Sequence, residues 1–133
     1  MTEVLVDSNI PMYLIGAPHP NKDRSRKLIE ESIARNDRLV TDAEVFQEIL
    51  HRYAATNRLS AVQPAFEALL GVVDEVFPVD LADAVRARDI LLGKTILSAR
   101  DAIHLAVMEH RGIRRILSFD AGFDHFPGIN RIS

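Results

Sequence analysis

The feature that most constrains the fold is a short apolar run near the N terminus that ends at a carboxylate. Residues 4–6 (Val-Leu-Val) are apolar and partly β-branched, which is typical of a strand buried on both faces of a parallel sheet. Asp7 follows at once, and Ser8 and Asn9 are residue types that cap helix N termini. Ligands bind beyond the carboxyl ends of strands in open parallel sheets. The position of Asp7 therefore favours a functional carboxylate over one that only caps a helix.

The rest of the chain alternates short apolar runs with longer segments of helical periodicity. Strands are predicted at residues 38–41, 76–79 and 113–117, with a last short one within 128–132. Helices are predicted at residues 10–15, 22–34, 42–57, 60–73, 80–93 and 98–111. This alternation favours right-handed βαβ units, and therefore a doubly wound, mainly parallel sheet flanked by helices. We predict a single α/β domain over residues 1–133, with a helical arm at about 42–74.

Two segments have the sequence of a capping box, in which a hydroxyl residue and an acid three positions later cap a helix start. Thr41 pairs in this way with Glu44, and Ser98 pairs with Asp101. We expect Thr41 to cap the helix after the second strand, which gives Glu44 a structural role. Asp101 keeps two interpretations, because it either completes the cap with Ser98 or contributes to a functional site.

The composition excludes several functional classes. The chain has 133 residues, a formal net charge of −3 and no cysteine, which excludes thiol nucleophiles, zinc–thiolate sites and disulfide scaffolds. No apolar run approaches the roughly 18 residues of a membrane span, and no signal sequence is recognisable, so we expect a cytoplasmic protein without a membrane partner. The negative charge argues against nucleic-acid binding by bulk electrostatics. A polyanionic substrate would need local neutralisation, which a bound metal ion provides.

One predicted helix is locally basic. Its basic residues are Lys22, Arg24, Arg26 and Lys27. The pattern fits either a solvated helix face or a contact for a phosphate backbone.

Four carboxylates fall at related places in the predicted topology. Asp7 and Asp120 directly follow the first and fourth strands, Glu48 lies one turn into the helix after the second strand, and Asp101 lies in the first turn of the helix before the fourth. The ends of the first and fourth strands can be neighbours, and helix N termini open on the same edge of the sheet. We therefore expect all four side chains to meet in one pocket.

Such a pocket is unfavourable without a cation. Two negative charges about 4 Å apart repel by roughly 4 kcal/mol at an effective dielectric constant near 20, so the carboxylates either take up protons or hold a cation. Carboxylate oxygens suit Mg²⁺ or Mn²⁺ better than zinc or copper. A metal site of this kind supports phosphodiester hydrolysis, since the metal activates a water and screens the charge that develops on phosphorus.

Two pairs of residues offer a different metal chemistry. Glu48 with His51, and Asp101 with His104, place a carboxylate and an imidazole three residues apart, as in the ligand pairs of di-iron helix bundles. Those bundles consist of long uninterrupted helices, whereas this chain alternates helices with strands. We therefore favour packed or surface roles for the histidines.

An aspartate-based phosphatase is a further alternative with the same architecture. That chemistry needs a second aspartate two residues after Asp7, and Asn9 occupies this position.

Four motifs together resemble the PIN-domain ribonucleases, and among them the VapC-like toxins of type II toxin–antitoxin systems. They comprise residues 6–9 (Val-Asp-Ser-Asn), 43–53 (Ala-Glu-Val-Phe-Gln-Glu-Ile-Leu-His-Arg-Tyr), 99–106 (Ala-Arg-Asp-Ala-Ile-His-Leu-Ala) and 116–120 (Ile-Leu-Ser-Phe-Asp). Each motif alone is weak, but their order and spacing match the family over nearly the whole chain. Ser8 departs from the commoner threonine and keeps the hydroxyl.

The resemblance implies a PIN-like fold and a Mg²⁺- or Mn²⁺-dependent endoribonuclease. Carried over by position, Asp7, Glu48, Asp101 and Asp120 are the catalytic acids, with Asp7 and Asp101 as direct metal ligands and the other two acting through water. It also implies a tRNA or rRNA substrate, a homodimer, and a cognate VapB-like antitoxin that grips the helical arm. A catalytically inactive PIN-like binding module is the remaining alternative.

Overall fold

The computed structural model describes residues 1–93 and 97–133 of the chain. The strands are β1 (Glu3–Val6), β2 (Arg38–Asp42), β3 (Glu75–Phe77), β4 (Arg115–Leu117) and β5 (Asn130–Ile132). The α-helices are α1 (Asn9–Leu14), α2 (Pro20–Ala34), α3 (Ala43–Ala55), α4 (Val62–Leu70), α5 (Leu81–Gly93) and α6 (Ala99–Arg111). Short 3₁₀ turns lie at Leu59–Ala61 and Ala121–His125.

The strands form one sheet in the order β3-β2-β1-β4-β5, in which each neighbouring pair is parallel. The predicted doubly wound parallel sheet is thereby confirmed, including its last short strand. β1 is central, and β3 is an edge strand that ends just before Pro78, where a missing N–H costs no ladder hydrogen bond. The order places β4 beside β1, so the chain segments that follow these two strands are neighbours.

Side chains alternate along β1, so its apolar residues point to both faces of the sheet. Helices cover both of these faces. Leu5 packs into one core cluster with residues of α5 and α6, such as Ala87 and Leu105. Val4 and Val6 pack into the other, whose helical members include Ile10, Leu28, Ile49 and Leu69. Within the described ranges, no helix has the length and apolar character that a membrane span requires.

The predicted capping box at Thr41 is wrong. β2 extends to Asp42, and the buried Thr41 hydroxyl donates to the carbonyl of Val6 in β1 at 2.8 Å. Asp42 caps α3 instead, accepting from the Val45 amide at 3.0 Å. A hydroxyl that bonds across the sheet is not available to a helix start, so Glu44 has no capping role to complete.

The predicted cap at Ser98 is confirmed, since its hydroxyl accepts from the Asp101 amide at 3.1 Å. Two other helix starts differ from the prediction. α2 begins at Pro20, with His19 as its N-cap, because proline fits the first position of a helix. The helix predicted from Ser60 begins at Val62, after a 3₁₀ turn.

Candidate metal-binding site

The carboxyl edge of the sheet collects polar side chains from every segment that the sequence singled out. Asp7 follows β1, Asp42 ends β2, and Ser118 and Asp120 follow β4. α3 contributes Glu48, and α6 contributes Asp101 and His104. These residues surround the end of the central strand.

Asp7 is held in one orientation. Its side chain is almost fully buried, and its backbone amide continues the ladder to Leu117 O at 3.0 Å. One carboxylate oxygen, Oδ1, accepts from the Ser8 amide at 2.8 Å. The other accepts from the Ser118 hydroxyl at 2.6 Å and from the Asn9 amide group at 3.4 Å. The carboxylate is therefore fixed before any ligand arrives.

His104 belongs to this site, although its sequence pattern favoured only a packed or surface role. It is fully buried, and its Nδ1 lies 2.7 Å from Asp42 Oδ2, which is also buried. Its Nε2 points to Asp7 Oδ1 at 3.8 Å and to Glu48 Oε2 at 3.7 Å. Those distances are too long for hydrogen bonds, and Nε2 has no hydrogen-bond partner among the described residues.

Asp101 and Asp120 meet beside Gly122. A Cβ atom at Gly122 would lie 3.1 Å from Asp120 Oδ1 and 3.7 Å from Asp101 Oδ2. Asp120 is exposed and its Oδ1 accepts from the Gly122 amide at 2.9 Å, whereas Asp101 is only 9% exposed. The absence of a side chain at this glycine leaves open the space between the two carboxylates.

The pKa values show that ionisation of the clustered acids is unfavourable. Burial raises the pKa of Asp101 to about 7, and the charges of Asp120 and Asp7 add to this increase. Burial also raises the pKa of Asp7, although the charge of His104 opposes it. Both shifts mean that the ionised carboxylates are unfavourable without a nearby cation.

His104 partly neutralises the cluster. Burial disfavours its charged form, but the charge of Asp42, the hydrogen bond with Asp42 and the nearby carboxylates of Glu48 and Asp7 outweigh burial and raise the pKa of His104 well above its usual value. The same contacts lower the pKa of Glu48 against the effect of burial. One imidazolium thus faces Asp7, Asp42 and Glu48, and negative charge remains in excess.

The sequence belongs to a known domain family. Residues 4–129 match the family model of the PIN domain. The chain belongs to the PIN-domain family. This confirms the resemblance drawn from the four motifs.

Named relatives of this PIN domain are ribonucleases. The protein is 58% identical to ribonuclease VapC13 of Mycobacterium tuberculosis over 130 residues, which cover 98% of this chain and 99% of that protein.

Solved structures share its fold. VapC20 of Mycobacterium tuberculosis, described as a sarcin-ricin loop cleaving toxin, matches 95% of this chain and 98% of its own with a TM-score of 0.77 at 21% identity. VapBC2 of Rickettsia felis, bound to a DNA fragment from its promoter, matches 98% of both chains with a TM-score of 0.75 at 14% identity.

The donor atoms of this PIN domain suit a divalent cation. Asp7, Glu48 and His104 each offer one ligand atom, and these atoms lie within 4.8 Å of one another. The unpartnered Nε2 of His104 and the open space beside Gly122 both face the cluster. Two carboxylates, with His104 once its Nε2 has released its proton, form a mixed oxygen and nitrogen set that transition-series divalent ions accept.

The predicted acids have two kinds of position in this site. Asp7, Glu48 and His104 form the group whose ligand atoms lie within 4.8 Å of one another. Asp101 and Asp120 lie beside this group, next to Gly122. Direct metal ligation by Asp101 stays a prediction. The di-iron interpretation is wrong, because the helices flank a sheet and His51 is exposed.

The basic face of α2 has mainly structural contacts. Lys22 donates to Gly16 O at 2.7 Å, and Arg24 donates to the Ser133 carbonyl at 2.9 Å. Arg26 pairs with Glu30 at 3.1 Å. These contacts favour the solvated-face interpretation.

Asp42→Asn tests the buried pair with His104. We expect the free energy of unfolding of this variant to be about 3 kcal/mol lower than that of the wild type, because a buried ion pair that loses one partner leaves an uncompensated charge. Chemical denaturation near pH 6 measures the difference. Ser98→Ala is the matched control, since it removes only a helix cap and costs about 1 kcal/mol. Asparagine can still cap α3, so an Asp42→Asn protein as stable as the wild type would show that Asp42 acts only as a cap.

Proposed function

We propose that this protein is a Mg²⁺- or Mn²⁺-dependent endoribonuclease that cleaves RNA phosphodiester bonds, and the toxin of a VapBC-type pair. The observation that carries the proposal is the group formed by the buried Asp7 and His104 and the half-buried Glu48 at the carboxyl edge of the sheet, with ligand atoms within 4.8 Å of one another. Relatives that align over nearly the whole chain are named ribonucleases.

In this proposal the divalent ion, when bound, supplies an activated water and stabilises negative charge on phosphorus. Asp7 and Glu48 hold the ion, and Ser118 and Asn9 keep Asp7 aimed at it. Asp42 fixes the ring of His104 through Nδ1, which leaves Nε2 directed at the carboxylates. This is the usual device that orients a metal-binding imidazole.

Asp101 and Asp120 complete the proposed site on the Gly122 side. The pKa of Asp101 is about 7, so its carboxyl group exchanges a proton readily at physiological pH. Binding of a cation would release that proton, since ligand carboxylates must be ionised. Asp120 is exposed and can reach a substrate or a bound water from the solvent side.

Induced expression with mapping of new RNA 5′ ends tests the activity. We expect discrete new ends in tRNA or rRNA in cells that express the wild-type chain, and none with Asp7→Asn. With purified protein, cleavage should need Mg²⁺ or Mn²⁺ and stop with a chelator. No cleavage of any RNA would favour the inactive binding module. An aspartyl-phosphate trapped on Asp7 would favour the phosphatase.

The proposed partners are a VapB-like antitoxin and a second copy of this chain in the cytoplasm. Structural neighbours include toxin–antitoxin complexes, which supports the antitoxin. The helical arm at about 42–74 exposes Leu50, Leu59 and Leu70 by 48–65% of their surface, and exposed leucines on one arm suit a protein partner. Sedimentation of the isolated chain tests the dimer, and a monomer at all micromolar concentrations would contradict it.

Leu50→Glu combined with Leu59→Glu tests the arm. We expect the affinity for the cognate antitoxin to fall by at least tenfold, because buried interface leucines would become charged, while RNA cleavage by the free toxin stays unchanged. Titration calorimetry and a cleavage assay measure the two effects. Ile33→Glu on α2 is the control, since Ile33 is 58% exposed but lies outside the arm. Undiminished affinity of the double variant would place the antitoxin elsewhere.

A further inference from the structure

A pocket of about 550 Å³ opens beside the acid cluster. Asp7, Glu48 and Asp120 line one end of it, and the remaining walls come from α1, the segment after it, α3 and Arg58. Its volume lies in the range of pockets that hold small organic groups. The pocket therefore offers space for the part of a polymer next to a reacting bond at the acids.

We propose that this pocket is a nucleotide subsite, in which a base of single-stranded RNA stacks against Tyr13 in an aromatic cluster with His19 and Phe119, while Arg52 and Arg58 contact the flanking phosphates. The inference rests on the proposed ribonuclease function and deepens it. It identifies single-stranded RNA as the substrate class and names the residues that position it.

Tyr13, His19 and Phe119 form an aromatic cluster on the pocket wall. The ring centroids of Tyr13 and His19 are 4.9 Å apart, and the Phe119 ring meets Tyr13 edge-on at 5.4 Å. None of the three is buried. Partly exposed aromatic faces next to a reaction centre are the usual stacking surfaces for unpaired bases.

The aromatic cluster is held in place before a ligand arrives. Lys22 Nζ donates to Gly16 O at 2.7 Å, and His19 Nδ1 accepts from the Asn21 amide at 3.0 Å. A Cβ atom at Gly16 would lie 3.0 Å from Met12 O, so the chain packs closely on α1 there. A wall fixed in this way loses little freedom on binding.

Arg52 and Arg58 supply positive charge at the same pocket. Arg52 follows Glu48 by one turn of α3, about 6 Å along the helix axis, and both side chains line the pocket. The Arg58 guanidinium lies 5.4 Å from the centre of the Tyr53 ring. Within the described part of the chain neither arginine forms an ion pair, so both charges are available to phosphates.

Binding of a labelled single-stranded RNA octamer tests the subsite in an Asp7→Asn background that prevents turnover. We expect Tyr13→Ala to weaken binding by at least about fivefold, which is the lower end of the range measured for loss of one base–aromatic stack. Tyr13→Phe should keep the affinity within twofold. Arg88→Gln on α5 is the control and should have no effect. Equal affinity of the Tyr13→Ala protein and its background would overturn the proposal.

Two further measurements separate stacking from charge. An abasic ribose-phosphate octamer should bind more weakly than RNA and be insensitive to Tyr13→Ala. Arg52→Gln should lower the slope of log Kd against log salt by about 0.7 for the lost phosphate contact. An abasic octamer or an octa-glutamate peptide that binds as tightly as RNA and loses affinity equally in Tyr13→Ala would also overturn the proposal.

The subsite and the ribonuclease function fail in different ways. If the wild-type protein cleaves RNA but Tyr13→Ala leaves both octamer binding and KM unchanged, the subsite is wrong and the function stands. If octamer binding depends on Tyr13 but the wild-type protein cleaves no RNA with Mn²⁺ or Mg²⁺, the function is wrong and the subsite stands.

Discussion

Asp7→Asn is expected to lower the rate of metal-dependent RNA cleavage by at least about 1,000-fold. An amide has no negative charge and binds a divalent ion weakly, so the variant loses several kcal/mol of transition-state stabilisation, at about 1.4 kcal/mol per factor of ten. Single-turnover cleavage with saturating Mn²⁺ measures the loss. Asp74→Asn, an exposed acid away from the site, is the control and should keep wild-type activity.

Loss of fold would not explain that result. Burial raises the pKa of Asp7, which means that the folded, metal-free protein bears a cost for ionising this carboxylate at neutral pH. Asparagine removes that cost, so we expect the variant in chelator to unfold at a temperature no lower than the wild type. Full activity of Asp7→Asn, or activity lost together with the fold, would contradict the role given to Asp7.

The stability of the metal-free protein is expected to fall as pH rises from about 4 to 8. The folded-state pKa of Asp101 is about 7, against 3.8 in the unfolded chain, so the folded state binds more protons within this window and its stability decreases with pH. The upper limit from Asp101 is about 4 kcal/mol, at about 1.4 kcal/mol per pKa unit. The raised pKa of His104 acts in the same direction: its contribution is complete below pH 6.5 and is lost as pH rises through the folded-state value.

Denaturant titrations between pH 4.5 and 8 measure how the free energy of unfolding changes with pH. Asp101→Asn should make this dependence weaker. Added Mn²⁺ should reverse it, because the ion replaces protons that the carboxylates would otherwise hold. A Mn²⁺ concentration that is 100 times the Kd at pH 7 stabilises the fold by about 2.7 kcal/mol at that pH, and the same concentration should stabilise it more at pH 8 than at pH 6 because Kd falls as the ligands lose protons. Stability that rises with pH in chelator, or a metal effect that is equal at both pH values, would contradict the clustering of the acids.

Local sequence patterns predicted the frame of the site. The run at residues 4–6 marked the central strand, and strand ends and helix starts positioned Asp7, Glu48, Asp101 and Asp120 around one edge of the sheet. These positions depend on β/α alternation and on the direction of parallel strands, both of which can be read from a single sequence.

The pairing of His104 with Asp42 depends on tertiary contacts that no local pattern carries. The two residues are 62 positions apart, and the one available signal was the spacing of Asp101 and His104 on a helix. That signal pointed to a di-iron site because neither the burial of His104 nor the exposure of His51 is visible in the sequence. Thr41 was misassigned for a similar reason, since its partner is a carbonyl on a neighbouring strand.

In the proposed function, acids that are distant in sequence converge to hold one divalent ion. Anomalous diffraction from crystals soaked in Mn²⁺ tests it most directly. The expected result is a single strong peak within about 2.5 Å of an Asp7 carboxylate oxygen and bordered by Glu48, His104 and Asp101. A peak elsewhere, or no peak at Mn²⁺ concentrations that support cleavage, would contradict it.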